Sequence, residues 1–253
     1  MTPGIERRSL LAGLGAAAGT MALAPLGAAE TPEDQRLLSD WPNLARYRDQ
    51  NLELQASGAR IDAVFLGDSI TEGWLSKVPS FFVPGRLCRG IGGQTTPQML
   101  LRFRQDVIDL KPRIVHIMAG TNDIAGNTGP STLKMTQDNF RCMTEIAAAN
   151  RIRLIIASIP PASEFPWRPG LDTVTPIAEL NAWLRDHARR AHATYADYFS
   201  VLAEAGGGMR AGLSSDHVHP TEAGYAAMRR CGRWPKRRCC APRVPTLNRQ
   251  CQS

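Results

Sequence analysis

Three side chains in this sequence carry the functional groups of an acyl-transfer reaction. Ser69 offers a hydroxyl, which is a weak nucleophile until a neighbouring imidazole accepts its proton. Asp216 and His219 lie three residues apart in a loop that Pro220 stiffens, so the carboxylate can reach Nδ1 of the imidazole while Nε2 faces the hydroxyl. The sequence therefore predicts a catalytic triad of Ser69, Asp216 and His219.

The same reaction needs hydrogen-bond donors that are fixed in advance, because negative charge develops on the carbonyl oxygen. The backbone N–H groups of Ser69 and Gly93 and the side-chain amide of Asn122 could supply these donors. A glycine at position 93 also lets the backbone come close to a substrate where a Cβ atom would obstruct it. We predict that these three residues form an oxyanion hole.

The candidate residues follow a series of predicted β-strands. Short β-rich runs predict five strands, at 61–66, 86–91, 114–118, 154–159 and 194–198. Between them, apolar residues at helical spacing predict three amphipathic helices, around 99–110, 140–147 and 177–191. This alternation is typical of a parallel sheet in a single three-layer domain, in which ligands bind beyond the carboxyl ends of the strands.

Four sequence blocks resemble those of the SGNH hydrolases, also called the GDSL lipase/esterase family. The blocks are FLGDSITEG at 65–73, GIGGQT at 90–95, GTND at 120–123 and DHVHP at 216–220. The resemblance covers about 61–228 and implies a flavodoxin-like three-layer α/β/α sandwich with a five-stranded parallel sheet. It also implies hydrolysis of carboxylic esters without a metal or an organic cofactor.

Carried over position by position, the resemblance supports the roles predicted from the residues. Ser69 resembles the nucleophile, Gly93 and Asn122 resemble oxyanion-hole donors beside the N–H of Ser69, and Asp216 and His219 resemble the acid and the base. The expected protein is thus an exported serine esterase that forms a covalent acyl-enzyme. Its expected partner is a small ester, such as an acylated glycan or a lipid-like ester.

The sequence departs from the family pattern in three places. Ile70 replaces the leucine of the family name, a swap that conserves volume, and Cys88 stands where members often have an asparagine. The helix expected after His219 begins over 221–228, and its composition then changes abruptly. Loss of that helix would uncover one face of the sheet and loosen the loop that carries Asp216 and His219.

Two other functions use the same residues. Asp216, His217 and His219 could be metal ligands, although the remaining histidines offer no evident completing ligand. A non-catalytic carbohydrate- or lipid-binding module could use the same cleft, with Trp74 and Trp167 stacking on a sugar or an acyl chain. These two tryptophans could equally pack at the rim, and no complete phosphate-binding or dinucleotide-binding loop is present.

The net charge of +7 is concentrated near the C-terminus rather than spread along the chain. The segment 229–253 holds eight basic residues and no acidic one, whereas the body from 30 to 228 carries 20 basic and 22 acidic side chains. Because this body is about neutral, it does not encode a basic groove for nucleic acid.

The two ends of the chain are expected to lie outside the single domain, which spans 30–228. The segment 1–29 resembles a twin-arginine export signal, with Arg7 and Arg8 before a mildly apolar stretch and small residues before cleavage after Ala29. An N-terminal helix with two charged residues is the alternative. The signal interpretation predicts a periplasmic or secreted protein without an integral membrane segment in its mature chain.

The segment 229–253 lacks a helical or strand period and holds four of the six cysteines. These cysteines match no zinc-binding spacing. We expect a frame-shifted or disordered terminus here, with a metal-binding or basic adhesive tail as the alternative.

Overall fold

A single parallel sheet forms the centre of the protein. The computed structural model describes Thr31, Gln35 and residues 38–231. The strands are β1 (Ala63–Gly67), β2 (Arg86–Gly90), β3 (Ile114–Met118), β4 (Arg153–Ala157) and β5 (Thr194–Ala196). Their spatial order is β2-β1-β3-β4-β5, with every pairing parallel. This is the flavodoxin-like order, so the predicted fold class is confirmed.

Helices cover both faces of this sheet, which explains why every residue of β1 and β3 is buried. The helices with defined bounds are α1 (Arg48–Ala56), α2 (Ser69–Lys77), α3 (Thr96–Asp106), α4 (Thr121–Ala125), α5 (Leu133–Ala149), α6 (Val174–Arg190), α7 (Tyr198–Leu202) and α8 (Glu222–Cys231). Helix α5 lies between α3 and α6, whereas α8 contacts α2 and α7. Because crossovers between parallel strands are right-handed, the group of α3, α5 and α6 and the group of α2, α7 and α8 lie on opposite faces of the sheet.

The amphipathic helices form where apolar spacing predicts them. Helix α3 starts at the N-cap Thr95, whose side chain forms a capping box with Gln98, and Pro97 occupies its first turn. The helix ends before Val107, and a short 3-10 segment, Ile108–Leu110, completes the predicted apolar stripe. No helix among the described residues is long and apolar enough to span a membrane.

The helix expected after His219 is present as α8. Helix α8 continues through Cys231, and Tyr225 and Met228 on it are buried. The Tyr225 hydroxyl donates a hydrogen bond of 2.8 Å to the backbone oxygen of Ile70, one residue after Ser69. The helix extends three residues beyond Met228, and its apolar face packs against α2. Residues 232–253 and the proposed signal 1–29 lie outside the described residues.

An aromatic cluster fixes α2 against α8 and corrects one prediction. Trp74 is fully buried, with its ring stacked on Phe81 at 4.5 Å and on Tyr225 at 5.5 Å between centroids. It points into the core rather than into a cleft. Trp74 therefore stabilises the helix that begins with Ser69, and its predicted role in binding substrate is wrong.

Asp68 caps the first turn of α2, and its carboxyl group is buried, which is unusual for a capping residue. Its Oδ1 accepts a hydrogen bond of 2.9 Å from the N–H of Ile70, while Oδ2 has no hydrogen-bond partner among the described residues. Burial raises the pKa of this carboxyl to about 6, although the hydrogen bond from Ile70 acts in the opposite direction. Ionisation of Asp68 therefore destabilises the folded state.

We predict that Asp68→Asn changes how stability depends on pH. Below about pH 4 the carboxyl is protonated in both folded and unfolded chains, whereas between about pH 4 and 6 the unfolded chain ionises first. The wild type should therefore lose roughly 1–3 kcal/mol relative to Asp68→Asn as the pH rises from 4 to 8. Urea unfolding of both proteins across this range measures the difference.

Asp172→Asn is the matched control, because Asp172 is exposed and also accepts a backbone hydrogen bond at a helix start. Its curve should run parallel to that of the wild type. A constant difference in unfolding free energy between wild type and Asp68→Asn at every pH would contradict the account of Asp68.

Candidate active site

The fold brings the hydroxyl, the imidazole and the carboxylate into one hydrogen-bonded chain. Ser69 is the first residue of α2, directly beyond the carboxyl end of β1, and its Oγ lies 2.8 Å from Nε2 of His219. Nδ1 of His219 lies 2.6 Å from Oδ2 of Asp216. These distances allow a proton to pass from the serine to the histidine while the carboxylate orients the ring.

Backbone donors in its own loop hold the Asp216 carboxylate. Oδ1 accepts hydrogen bonds from the N–H groups of His219 at 2.7 Å and Val218 at 3.1 Å. Partial burial acts to raise the pKa of Asp216, but these hydrogen bonds and that from the His219 ring outweigh it and lower the pKa to about 2. Asp216 is therefore ionised throughout the range in which an enzyme ordinarily works.

Ser214 closes the loop around these two residues. Its Oγ donates a hydrogen bond of 2.9 Å to the backbone oxygen of His219, and Ser214 forms an antiparallel bridge with Pro220. His217 adopts a positive φ of 71°, which turns the chain between the acid and the base. Sequence reasoning missed Ser214, since a serine in a polar loop carries no signal of its own.

The candidate oxyanion loop lies against Ser69. A Cβ atom built at Gly92 would lie 3.8 Å from Cβ of Ser69, and Gly93 follows with a φ of 73°, which favours glycine. Glu72, one turn along α2 from Ser69, accepts a hydrogen bond of 2.8 Å from the N–H of Gly92. Glu72 thus ties this loop to the nucleophile's helix, a role not predicted from the sequence.

Asn122 approaches the same loop from the carboxyl end of β3. It is buried on the short helix α4, and its Nδ2 donates a hydrogen bond of 3.0 Å to the backbone oxygen of Gln94. The adjacent Asp123 accepts hydrogen bonds from the backbone and side chain of Thr96, and burial raises its pKa. The predicted donor Asn122 is therefore hydrogen-bonded to Gln94, the residue that follows the predicted donor Gly93.

A buried arginine connects the nucleophile's strand to the oxyanion loop. Arg102 on α3 has no exposed surface. It donates hydrogen bonds to the backbone oxygen of Gly67 at 3.0 Å and to Oε1 of Gln94 at 2.6 Å, and it forms a 3.0 Å ion pair with Asp106. This residue was also missed, because an arginine on an amphipathic helix ordinarily faces solvent.

Two further residues from the sequence analysis, Trp167 and Cys88, lie at the surface and in the core, respectively. Trp167 is 41% exposed and donates a hydrogen bond of 3.0 Å to Oδ1 of Asn127, so it lies at a surface that a substrate can reach. Cys88 is buried, and its Sγ donates to the backbone oxygen of Thr71 at 3.3 Å, where the family often has an asparagine.

The alternative metal site does not assemble in the described part of the chain. The His217 ring lies 3.7 Å from Glu164, and no group of three metal-ligating side chains occurs within 38–231.

Comparison with known proteins identifies the family of this chain. The sequence pattern of the GDSL-like lipase/acylhydrolase family matches residues 65–227, which include all five residues predicted for the triad and the oxyanion hole. A candidate acylhydrolase from Bacteroides fragilis NCTC 9343 is 42% identical, with a TM-score of 0.72 over 76% of this chain and 94% of that one. A GDSL-like lipase from Bacteroides thetaiotaomicron VPI-5482 is 39% identical, with a TM-score of 0.71 over 76% and 96%.

Two further similarities are more limited. An acetylxylan esterase from Geobacillus stearothermophilus shares the fold at 19% identity, with a TM-score of 0.53 over 68% of this chain and 92% of that one. A 36-residue segment is 61% identical to the uncharacterized lipoprotein YqeF of Bacillus subtilis (strain 168), and this match spans only 15% of the lipoprotein. The first two structures and the family match confirm the resemblance, and the chain belongs to the GDSL-like lipase/acylhydrolase family of ester-bond hydrolases.

Proposed function

We propose that this protein is a serine esterase that hydrolyses carboxylic esters through a covalent acyl-serine intermediate. The observation that carries the proposal is the continuous chain from Ser69 through His219 to Asp216, with links of 2.8 and 2.6 Å. A binding module would have no need of a serine hydroxyl held against an imidazole in this way. The arrangement instead suits a nucleophile with its general base.

The reaction proceeds in two steps, acylation of Ser69 and hydrolysis of the acyl-serine. Ser69 Oγ attacks the ester carbonyl carbon and its proton moves to Nε2 of His219, which gives a tetrahedral intermediate. This intermediate collapses with cleavage of the carbon–oxygen bond of the ester, and the leaving alcohol takes the proton from His219. Water then attacks the acyl-serine, gives a proton to His219, and releases the carboxylic acid as the serine recovers its proton.

The N–H groups of Ser69 and Gly93 and the Asn122 amide stabilise the negative oxygen of each tetrahedral intermediate. Glu72 and Arg102 support this function because they fix the oxyanion loop against α2 and β1 before a substrate arrives. Donors that are already oriented need no rearrangement when the charge develops.

The preferred substrates are esters with short acyl groups, such as acetyl esters of sugars or of small alcohols. The 158–173 loop, which follows β4 and could otherwise form a mobile cover, is held by contacts to the body. Arg168 donates a hydrogen bond of 2.7 Å to the backbone oxygen of Ala125, and Phe165 is fully buried. The polar side chains of Glu164 and His217 near the triad favour a small polar ester over a long acyl chain.

Export of the protein is part of the same proposal. The paired arginines and small residues of 1–29 support it, as does the short similarity to a lipoprotein. A periplasmic or secreted esterase would meet acylated glycans and small esters outside the cytoplasm.

Replacement of Ser69 tests the nucleophile. We expect Ser69→Ala to abolish hydrolysis of p-nitrophenyl acetate, because within the described residues no other hydroxyl is hydrogen-bonded to the His219 imidazole. Ser76→Ala is the matched control, since Ser76 is an exposed serine on the same helix, and its kcat should be unchanged. Full activity of Ser69→Ala with an unchanged thermal transition would refute the mechanism, and activity that disappears with a chelator would favour a metal enzyme.

The pH dependence tests the general base. With a pKa of about 2, Asp216 stays ionised, so only protonation of the imidazole should reduce kcat/KM on acidification. We expect log kcat/KM to fall on acidification with a slope of one, because the mechanism loses one proton acceptor. The same acid limb should persist in Asp68→Asn, which removes a buried carboxyl whose pKa is raised to about 6. A slope of two, or loss of the limb in that variant, would contradict this assignment.

A series of p-nitrophenyl esters tests the substrate range. We expect kcat/KM to be highest for acetate and to fall at least tenfold by the octanoate ester, because the polar rim offers a longer chain little apolar surface to bury. A steady rise in kcat/KM with chain length would instead identify a lipase. Release of acetate from acetylated sugars, assayed with the same protein, separates glycan esters from other short esters.

A further inference from the structure

Three hydrogen bonds connect the exposed rim of the site to the loop that carries Gly93. The indole N–H of Trp167 donates to Oδ1 of Asn127 at 3.0 Å, and Nδ2 of Asn127 donates to Oδ1 of Asn122 at 2.8 Å. Nδ2 of Asn122 then donates to the backbone oxygen of Gln94 at 3.0 Å. Neither Trp167 nor Asn127 belongs to the four sequence blocks.

The two ends of this chain determine the orientation of both amides between them. An indole N–H can only donate, and a backbone carbonyl can only accept. Asn127 must therefore present its oxygen to Trp167 and its nitrogen to Asn122, and Asn122 must present its nitrogen to Gln94. No other orientation of the two amides satisfies all three hydrogen bonds.

This orientation has a consequence for the candidate oxyanion hole. Nδ2 of Asn122 carries two hydrogens, and the bond to Gln94 uses one of them, which leaves the second for a ligand. Because Oδ1 of Asn122 accepts a hydrogen bond, the amide is polarised and its N–H groups become better donors. Without that bond, the Asn122 side chain is held only by its hydrogen bond to Gln94, and its amide is less polarised.

We propose that Asn127 is a positioning residue that orients the oxyanion donor Asn122, and that Trp167 holds Asn127 in place. The proposal rests on the function proposed above, because it acts through stabilisation of the oxyanion by Asn122. The backbone supports the same geometry, since the N–H of Asn127 donates to the backbone oxygen of Asn122 at 3.1 Å.

Substitutions at Asn127 give the direct test. With p-nitrophenyl acetate, Asn127→Ala should lower kcat about 3- to 10-fold, the effect of one lost neutral hydrogen bond, and leave KM within about twofold. Asn127→Asp should lower kcat further. It keeps the acceptor for Trp167 but places a carboxylate oxygen against Oδ1 of Asn122. The exposed Asn150 supplies the matched control, and Asn150→Ala should leave both constants unchanged.

A double-mutant cycle separates positioning from a general structural role. Asn122→Ala alone should lower kcat about 10²–10³-fold. Once Asn122 is absent, Asn127→Ala should lower kcat by less than twofold more, because the residue has nothing left to orient. A full additional loss in the double variant, or unchanged kcat in Asn127→Ala, would overturn the proposal.

Trp167→Phe provides a second variant that keeps the ring but removes the indole N–H. We expect kcat to fall about 2- to 5-fold with an unchanged thermal transition, while Trp183→Phe on α6 has no effect on kcat. Unchanged kcat in Trp167→Phe would show that the indole N–H of Trp167 is not needed to hold Asn127 in place.

The underlying function is tested separately. Activity of Ser69→Ala would overturn the esterase mechanism and this proposal together, and full activity of Asn122→Ala would overturn the oxyanion role and the positioning role. If both variants are impaired and Asn127→Ala is not, only the positioning role fails.

Discussion

The 2.8 Å hydrogen bond between Ser69 and His219 joins positions 150 residues apart in the chain, and the rest of the structure is arranged so that it can form. One partner begins the helix after β1, and the other lies in the loop before α8. The position of this loop relative to Ser69 therefore depends on how α8 packs. Tyr225 fixes α8 against α2, because its ring stacks on Trp74 and its hydroxyl donates a hydrogen bond to the backbone oxygen of Ile70.

A second constraint is that the donors for the oxyanion must be fixed before substrate binds. Hydrogen bonds from several elements meet at the loop between β2 and α3: Glu72 contacts it from α2, Arg102 from α3, and Asn122 from α4. Burial of an arginine is unfavourable unless its charge is paired and hydrogen-bonded. Arg102 is paired with Asp106, and each of its three guanidinium nitrogens donates one hydrogen bond, to Gln94, Asp106 or Gly67. The buried polar network thus links strand, nucleophile and oxyanion loop in one unit.

Much of this could be predicted from the sequence, because it depends on local patterns. Apolar spacing predicted α3, and the residues after successive strands predicted the members of the site. The failures share a cause. Trp74 was misplaced because the side of a helix that faces the core depends on distant partners, here Phe81 and Tyr225. Glu72 and Asn127 were missed because their significance comes only from hydrogen bonds across the fold, which no spacing in the sequence reveals.

The central claim is that His219 activates Ser69 to become covalently acylated. Treatment of the full-length protein with a fluorophosphonate, followed by peptide mass spectrometry, tests it most directly. The account predicts a single adduct on the peptide that contains Ser69, formed much more slowly in His219→Ala. An adduct on another residue, or equally fast labelling of Ser69 without the imidazole, would contradict it.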